Sequence, residues 1–318
     1  MILLNKLFQG ETFTVDFKNK LRRRLLGRRF QQQILDAQVA LKNLGNRNYQ
    51  TGEHNLLAPG FNPSINAYEF SVYSQNGEDG VILSLLSRIG VETRYIVEIG
   101  TEDGRECNSA NLILNFGWRG CLFEANKKSS DSARAYFSDC LGANSDRVRL
   151  INATVSPDNI NQLLRSHDVP VRIDVLSMDI DSYEYWVWQA IDYVIPRLVV
   201  IEYNASFGPE RAVTIPYGSP EKPETQGIEY YHGASLTALE RLGKQKGYVL
   251  LGCESKGVNA FFVRRELAVE AGLKSVLPEQ AFRPHYWRTL ACSQDEQCRI
   301  LAEAPLEEVE ASNSNLII

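Results

Sequence analysis

Short hydrophobic runs alternate with amphipathic stretches through the middle of the chain. Five runs rich in β-branched and aromatic residues predict strands, and segments with helical spacing separate them. These runs lie at 95–99, 120–124, 148–155, 174–180 and 198–202. Two further runs, at 248–253 and 259–264, flank a glycine-containing turn. The alternation predicts an α/β fold with a doubly wound, mostly parallel sheet, and the last two runs predict a closing antiparallel hairpin.

The two ends of the chain differ from this middle part in composition. Residues 12–45 have helical spacing, and residues 1–50 carry ten Lys and Arg against three Asp and Glu. Residues 46–70, rich in Asn, Gly and Pro, predict a linker, and the six acids in 295–310 predict a short helix followed by disorder. We therefore expect three parts: a basic helical N-terminal extension with linker at 1–70, the α/β domain at 71–290, and an acidic C-terminal tail at 291–318.

The composition is typical of a soluble protein with an ordinary core. The 318 residues are 44% hydrophobic, no apolar run approaches the length of a membrane span, and we find no secretory signal. The six cysteines form no C-x-x-C pair, which is typical of buried thiols in a reducing compartment. We therefore expect a cytoplasmic protein, and the net charge of -5 argues against nucleic acid as a partner.

The basic cluster at 18–29 has two interpretations. A basic amphipathic helix binds anionic membrane surfaces, which would place the protein at the periphery of a membrane. The other interpretation is a helix that packs on its own domain, or on a second copy in a homodimer, with a solvated basic face. The sequence leaves both open.

A glycine- and acid-containing loop follows the first predicted strand. Residues 98–104 read Glu-Ile-Gly-Thr-Glu-Asp-Gly, and Glu124 ends the second strand about 20 residues later. Glycines let a backbone approach a ligand, and an acid after the second strand accepts hydrogen bonds from ribose hydroxyls. The loop lacks Gly-x-Gly-x-x-Gly, and Glu102 and Asp103 would repel a diphosphate. A ligand with a ribose and a cationic end, such as S-adenosylmethionine, suits this loop better than NAD.

Several short motifs resemble FkbM-type S-adenosylmethionine-dependent methyltransferases. They are SQNGEDG at 74–80, VEIG at 97–100, MDID at 178–181, IEYN at 201–204 and GVNAFFV at 257–263. The resemblance covers about residues 71–265 and implies a class I, Rossmann-like methyltransferase fold. Members of the family commonly O-methylate sugars, glycans or polyketides, although a fold alone is a poor guide to substrate.

In such a fold the cofactor lies across the carboxyl ends of the strands. The resemblance implies that Glu98 and Gly100 lie beside the methionine part, that Gly104 allows close helix packing, and that Glu124 meets the ribose. Glu102 is a further candidate for cofactor binding. The resemblance further places Asn152 and Ala153 beside adenine, Asp179 at the reacting centre, and Gln75 and Asp79 over the methionine end. Alternatively, Glu98 and Glu124 are structural acids, and Gln75 and Asp79 only cap a helix.

A second group of polar residues follows the fourth and fifth predicted strands. Asp179, Asp181, Glu202 and Asn204 present three carboxylates and an amide at neighbouring strand ends. Mg²⁺ would relieve the repulsion between these acids and would activate a substrate hydroxyl. The alternative is that Glu202 and Asn204 make polar contacts with the long segment after them. His232, at the end of that segment, suits a catalytic base or substrate contact, or else a structural histidine.

The resulting hypothesis is an S-adenosylmethionine-dependent O-methyltransferase. Its acceptor would be a hydroxyl-bearing sugar, glycan or glycosylated small molecule. In the chemistry we expect, Asp179, Asp181 and His232 are the catalytic candidates, with Mg²⁺ as a candidate second cofactor. The alternative from another class is a non-catalytic binding or scaffold module that has kept the methyltransferase fold.

Overall fold

The computed structural model describes residues 65–218 and 230–311. The predicted basic extension, including residues 18–29, therefore lies outside the described residues. The sheet and the segment after it belong to one compact unit, Asn62–Ile318, which shows no division at the predicted boundary between 290 and 291.

Seven strands form a single mixed sheet. They are β1 (Tyr95–Ile99), β2 (Arg119–Glu124), β3 (Val148–Asn152), β4 (Arg172–Met178), β5 (Ile195–Glu202), β7 (Tyr248–Cys253) and β8 (Asn259–Arg264). Their order is β3-β2-β1-β4-β5-β8-β7. The first five are parallel, whereas β8 runs antiparallel between β5 and β7. The structure thus confirms the predicted class I methyltransferase arrangement, a doubly wound sheet with a closing antiparallel hairpin.

Ten α-helices occur in the described residues. They are α1 (Glu78–Ile89), α2 (Asn108–Phe116), α3 (Lys127–Leu141), α4 (Ile160–Ser166), α5 (Glu184–Ala190), α6 (Leu236–Gln245), α7 (Arg265–Glu270), α8 (Pro278–Ala281), α9 (Tyr286–Ala291) and α10 (Gln294–Leu301). Short 3₁₀ helices lie at Ile65–Tyr68, Gly142–Arg147 and Ala205–Phe207. No helix of the described residues is both long and apolar enough to cross a bilayer.

The helices cover both faces of the sheet and bury a core on each. One core joins α1, α2 and α7 to side chains such as Ile96 and Val200, which leave one face of the central strands. The other joins α4, α5 and α6 to the opposite face, where Trp188 packs on Phe262 with 5.0 Å between ring centroids. Every residue of β1 is buried, as expected for a central parallel strand covered on both sides.

The acidic tail differs from the prediction. The predicted short helix is present as α10, but the described residues after it, 302–311, are ordered instead of disordered. Strand β9 (Glu307–Glu308) pairs antiparallel with β6 (Val213–Thr214), and Val309 is buried in the same core as Leu301. The acidic composition hid these apolar positions, because four acids surround Val309 and Leu306 in the sequence.

Candidate functional site

The carboxyl ends of β1, β2 and β4 surround a cavity of about 730 Å³. The strand order reverses between β1 and β4, and ligands of doubly wound sheets bind in the crevice at that point. Eight of the predicted site residues line this cavity: Gln75, Glu98, Gly100, Glu102, Glu124, Ala153, Asp179 and Asp181. The remaining six lie outside its lining: Asp79, Gly104, Asn152, Glu202, Asn204 and His232.

Position 100 requires glycine because the backbone at the end of β4 passes very close to it. Its φ is +85°, and a Cβ here would lie 1.6 Å from the carbonyl oxygen of Asp179. Asp179 donates its amide N–H to the carbonyl of Ile99 at 3.0 Å. The glycine therefore lets the ends of β1 and β4 meet, and this contact brings Asp179 to the cavity. Gly104 has a packing role of its own, because a Cβ there would lie 2.8 Å from the ring of Phe137 on α3.

The carboxylate of Glu124 is held in place by backbone amides at the end of β2. One oxygen accepts a hydrogen bond from the amide of Glu102 at 2.8 Å, and the other accepts one from Asn126 at 2.7 Å. Each oxygen keeps a second lone pair for a ligand. Asn152 supports this turn from β3 by donating its side-chain amide to the carbonyls of Glu124 and Ala125. Glu124 is thus fixed at the cavity wall, and Asn152 holds the turn that carries it without lining the cavity.

Glu98 is tied to the start of a helix. Its two carboxylate oxygens accept the amides of Asn108 and Ser109, each at 2.9 Å, at the N-terminus of α2. Burial raises the pKa of Glu98, and the hydrogen bonds from Ser109 and Asn108 oppose that rise. Its carboxylate therefore joins β1 to α2 while it also forms part of the cavity wall.

Asp79 organises the loop before α1 and does not face the cavity. One of its carboxylate oxygens accepts the amides of Val72, Tyr73 and Ser74 at 2.7–2.8 Å, and Ser74 Oγ accepts the Asp79 amide at 3.0 Å. Asp79 therefore ties the preceding loop to α1, and the helix itself begins after Gly77 without a side-chain cap. The loop holds Gln75 at the cavity wall, where its side chain is exposed.

Four carboxyl groups come together where β4 and β5 end: Asp179, Asp181, Glu184 and Glu202. Burial is the main cause that raises the pKa of Glu184 and of Glu202, and the neighbouring acids add to it. Asp179 opens into the cavity, yet the surrounding protein desolvates it. Desolvation and the charges of Asp181 and Glu184 raise its pKa to about 8, opposed by a hydrogen bond with Glu202. At neutral pH this cluster therefore retains a proton.

His232 lies beside this cluster and is neutral. Burial lowers its pKa to about 3, with further contributions from Arg288 and His285. Its Nε2 lies 2.9 Å from Nη2 of Arg288. A guanidinium only donates, so Nε2 must accept, and a neutral ring then carries its proton on Nδ1. Nδ1 is buried and has no hydrogen-bond partner among the described residues.

Asn204 joins β5 to the segment that carries His232. Its amide nitrogen donates to the carbonyls of Tyr230 and His232 at 2.6 and 2.8 Å. Its oxygen accepts from the amide of Ser206 at 3.0 Å and from Arg288 at 3.1 Å. All of the polar atoms of this side chain are therefore engaged, as in the alternative in which Asn204 contacts the long segment.

These contacts decide how well the cluster fits a magnesium ion. Carboxylate oxygens of Asp181 and Glu202 and a ring nitrogen of His232 lie within 4.8 Å of one another. Mg²⁺ requires near-octahedral oxygen ligands. The oxygen of Asn204 has both lone pairs occupied, and His232 has no free lone pair while Arg288 binds Nε2. The described residues therefore bring together only part of the predicted ligand set, and in this arrangement the complete set with Asn204 does not fit Mg²⁺.

The sequence prediction missed Glu184 and Arg288. Glu184 accepts the amides of Ile180 and Ser182 with one oxygen, and its position in the first turn of α5 is a recognisable capping signal. Its other oxygen is buried without a partner among the described residues. Arg288 lies beyond the region of family resemblance, in a segment whose contact with the site depends on tertiary structure, and no local pattern marks it.

No protein-family model matches the chain, and no curated protein matches it. Solved methyltransferase structures are similar to it at low identity. An O-methyltransferase from Bacillus cereus in complex with SAH is 17% identical, with 70% of this chain and 88% of that chain covered and a TM-score of 0.38. The N-terminal domain of EvdMO1 in the presence of SAH and D-fucose is 13% identical, with 64% and 91% covered and a TM-score of 0.38.

A putative sarcosine dimethylglycine methyltransferase from Galdieria sulphuraria is also 13% identical, with 72% of this chain and 81% of that chain covered and a TM-score of 0.39. At these identities and TM-scores, such a likeness assigns neither an activity nor a substrate to this chain.

Proposed function

We propose that this protein is an S-adenosylmethionine-dependent methyltransferase that methylates a hydroxyl oxygen of a sugar, a glycan or a glycosylated small molecule. The observation that carries the proposal is Glu124, held at the cavity wall by the amides of Glu102 and Asn126 with lone pairs left for a ligand. An acid in this position at the end of β2 suits ribose hydroxyls. The motifs that resemble FkbM-type enzymes support the same cofactor.

The charge of the cavity supports a cationic ligand. Eight carboxylic acids line it, and the described lining residues include no Lys, Arg or His. A sulfonium is attracted to such a wall, whereas a diphosphate or a phosphorylated acceptor is repelled. An uncharged sugar hydroxyl is compatible with this field.

Bound S-adenosylmethionine would supply an already activated methyl group, so the residues of the chain need mainly to bind and orient. Glu124 would hold the ribose, and Glu98 and Gly100 would border the methionine end. Asp179 lies in the cavity wall, and its carboxyl can take the proton of the acceptor hydroxyl once it is ionised, so its activity as a base should rise as the pH approaches its pKa of about 8. His232, engaged by Arg288, would act on the neighbouring carboxylates instead of on the acceptor.

Aromatic side chains near the cavity support a sugar acceptor. Tyr217 is 43% exposed and lies 5.4 Å from Tyr183 and 6.3 Å from Trp186 between ring centroids. Tyr183 directly follows Ser182, which lines the cavity. Exposed rings of this kind offer the apolar face and polar edge that a pyranose ring contacts.

Calorimetry with S-adenosylmethionine and with NAD tests the proposal. We expect the wild type to bind S-adenosylmethionine and not NAD. Glu124→Ala should weaken binding about tenfold to a hundredfold, because hydrogen bonds to a charged group are lost. Glu279→Ala, which removes an exposed acid on α8, is the matched control and should leave the affinity unchanged.

Each other outcome has a defined meaning. If the wild type binds S-adenosylmethionine and Glu124→Ala binds it equally well, the assignment of Glu124 is wrong. If the wild type binds neither cofactor, the proposed enzymatic function is wrong, and the alternative of a non-catalytic scaffold with a methyltransferase fold is favoured.

A further inference from the structure

The helix α9 brings a cation to the carboxyl cluster from outside the sheet. Arg288 projects from α9 and contacts three groups beyond the end of β5. Its Nη2 lies 2.9 Å from Nε2 of His232, and its Nη1 lies 3.1 Å from Oδ1 of Asn204 and 3.5 Å from Oγ of Ser206. No carboxylate of the described residues forms an ion pair with Arg288 within 4.0 Å, and its hydrogen bond with His232 is the contact that links it to the carboxyl cluster.

The position of α9 is itself fixed by several contacts. Tyr286 donates its amide to the carbonyl of Lys256 in the β7–β8 turn at 2.8 Å. His285 caps the helix, because its Nδ1 accepts the amide of Arg288 at 3.2 Å. Just before α9, the carbonyl of Arg283 accepts a hydrogen bond from the hydroxyl of Tyr203 at 2.6 Å. Arg288 is therefore held against the site by the closing hairpin.

The contact with Arg288 determines what His232 can do. With Nε2 as acceptor, the ring proton lies on Nδ1, so His232 presents a donor and not a metal ligand. A ring nitrogen of His232 lies within 4.8 Å of carboxylate oxygens of Asp181 and Glu202. The positive charge of Arg288 also lowers the pKa of Glu202, against the rise that burial causes. Arg288 therefore contributes positive electrostatic potential at the carboxyl cluster, whereas His232 is neutral.

We propose that Arg288 is a positioning residue for His232: by donating to Nε2 it keeps the proton of this ring on Nδ1, next to Asp181 and Glu202, in a cluster that does not need a divalent ion. This inference rests on the proposed function for its role in methyl transfer. It assigns to α9 a part in the site, and it means that the cluster organises its carboxylates without magnesium.

Nitrogen-15 NMR of the full chain labelled at histidine tests the tautomer directly. The spectrum distinguishes a protonated Nδ1 from a protonated Nε2, and His232→Asn identifies the His232 signals among the four histidines. We expect wild-type His232 to carry its proton on Nδ1 at neutral pH. Arg288→Gln should lose this single tautomer, and Arg288→Lys should keep it in part, because lysine donates without the guanidinium fork. Arg299→Gln, an exposed arginine on α10, is the control.

Metal titration is the second measurement. Millimolar Mg²⁺ should leave the His232 signals of the wild type unchanged, and calorimetry should detect no Mg²⁺ binding. A proton on Nε2 in the wild type would overturn the proposal. So would an unchanged His232 spectrum in folded Arg288→Gln, or a Mg²⁺ site that Asp181→Asn removes.

These outcomes are separate from those of the proposed function. Cofactor binding is measured with S-adenosylmethionine at the Glu124 end of the cavity, whereas the tautomer is read without any ligand. A protein that fails to bind the cofactor but shows the expected tautomer would contradict the proposed function and leave the geometry of Arg288 intact.

Discussion

At the scale of single residues, tertiary contacts decide the roles at the site. Gly100 and Glu124 belong to the same recognisable motif, yet one allows two strand ends to meet and the other faces the cavity. Asp79 and Asn152 were predicted to contact the cofactor, but their hydrogen bonds go to backbone groups of the protein. Sequence spacing placed these residues near the strand ends. It could not distinguish a residue that contacts a ligand from one that holds the backbone of the site.

Substituting Gly100 tests the strand-end contact. Gly100→Ala should destabilise the protein strongly, because the added Cβ would overlap the carbonyl oxygen of Asp179 and the backbone cannot move away cheaply. Gly247→Ala is the matched control: its φ of +83° is close to that of Gly100, but nothing lies within 4 Å of the added Cβ. The control should be the less destabilised of the two variants, because it meets the backbone cost of a positive φ without any steric overlap.

Urea unfolding of both variants measures the difference. If Gly100→Ala were no less stable than Gly247→Ala, the overlap with Asp179 would not be what requires glycine at this position.

At the scale of elements, the hydrophobic runs predicted the strands well and the tail poorly. A parallel strand covered on both faces needs a continuous apolar run, and such runs are visible without any structure. The tail buries isolated apolar residues among acids, so its pattern resembles a solvated segment. In the structure, α10 packs on the 3₁₀ helix after β5, where Gln297 accepts the hydroxyl of Ser206 at 2.6 Å.

Two neighbouring residues of α10 test whether the tail belongs to the core. Leu301 is fully buried, and Leu301→Ala should lower the free energy of unfolding by about 2–5 kcal/mol. Ile300 is 39% exposed, and Ile300→Ala should change it by roughly 0.5 kcal/mol or less. Denaturant unfolding of the two variants gives both values, and equal small losses would show that the tail detaches in solution.

At the scale of the whole molecule, the carboxyl cluster affects the free energy of unfolding. Its acids lie close together, so their ionisation should destabilise the folded protein. Asp179 has a pKa of about 8 in the folded protein, well above the ordinary value of an aspartate. The folded state then holds a proton that the unfolded state releases. Stability from this group is present below about pH 4 and is lost as the pH rises towards 8.

Asp179→Asn mimics the protonated acid at every pH and so tests this cost. The variant should exceed the wild type in unfolding free energy by a margin that grows from about pH 5 to about pH 8 and is constant above that. Urea unfolding across this range, without ligand, measures the margin. A margin that is independent of pH would mean that the carboxyl of Asp179 is ionised throughout.

The attachment of α9 to the β7–β8 turn also has a consequence for biosynthesis. The chain is made from its N-terminus, and all seven strands of the sheet precede Arg288 in the sequence. A nascent chain can therefore complete its scaffold while the carboxyl cluster still lacks its arginine. The order of synthesis thus separates completion of the sheet from completion of the site, so the presence of all seven strands would not report the presence of a competent site.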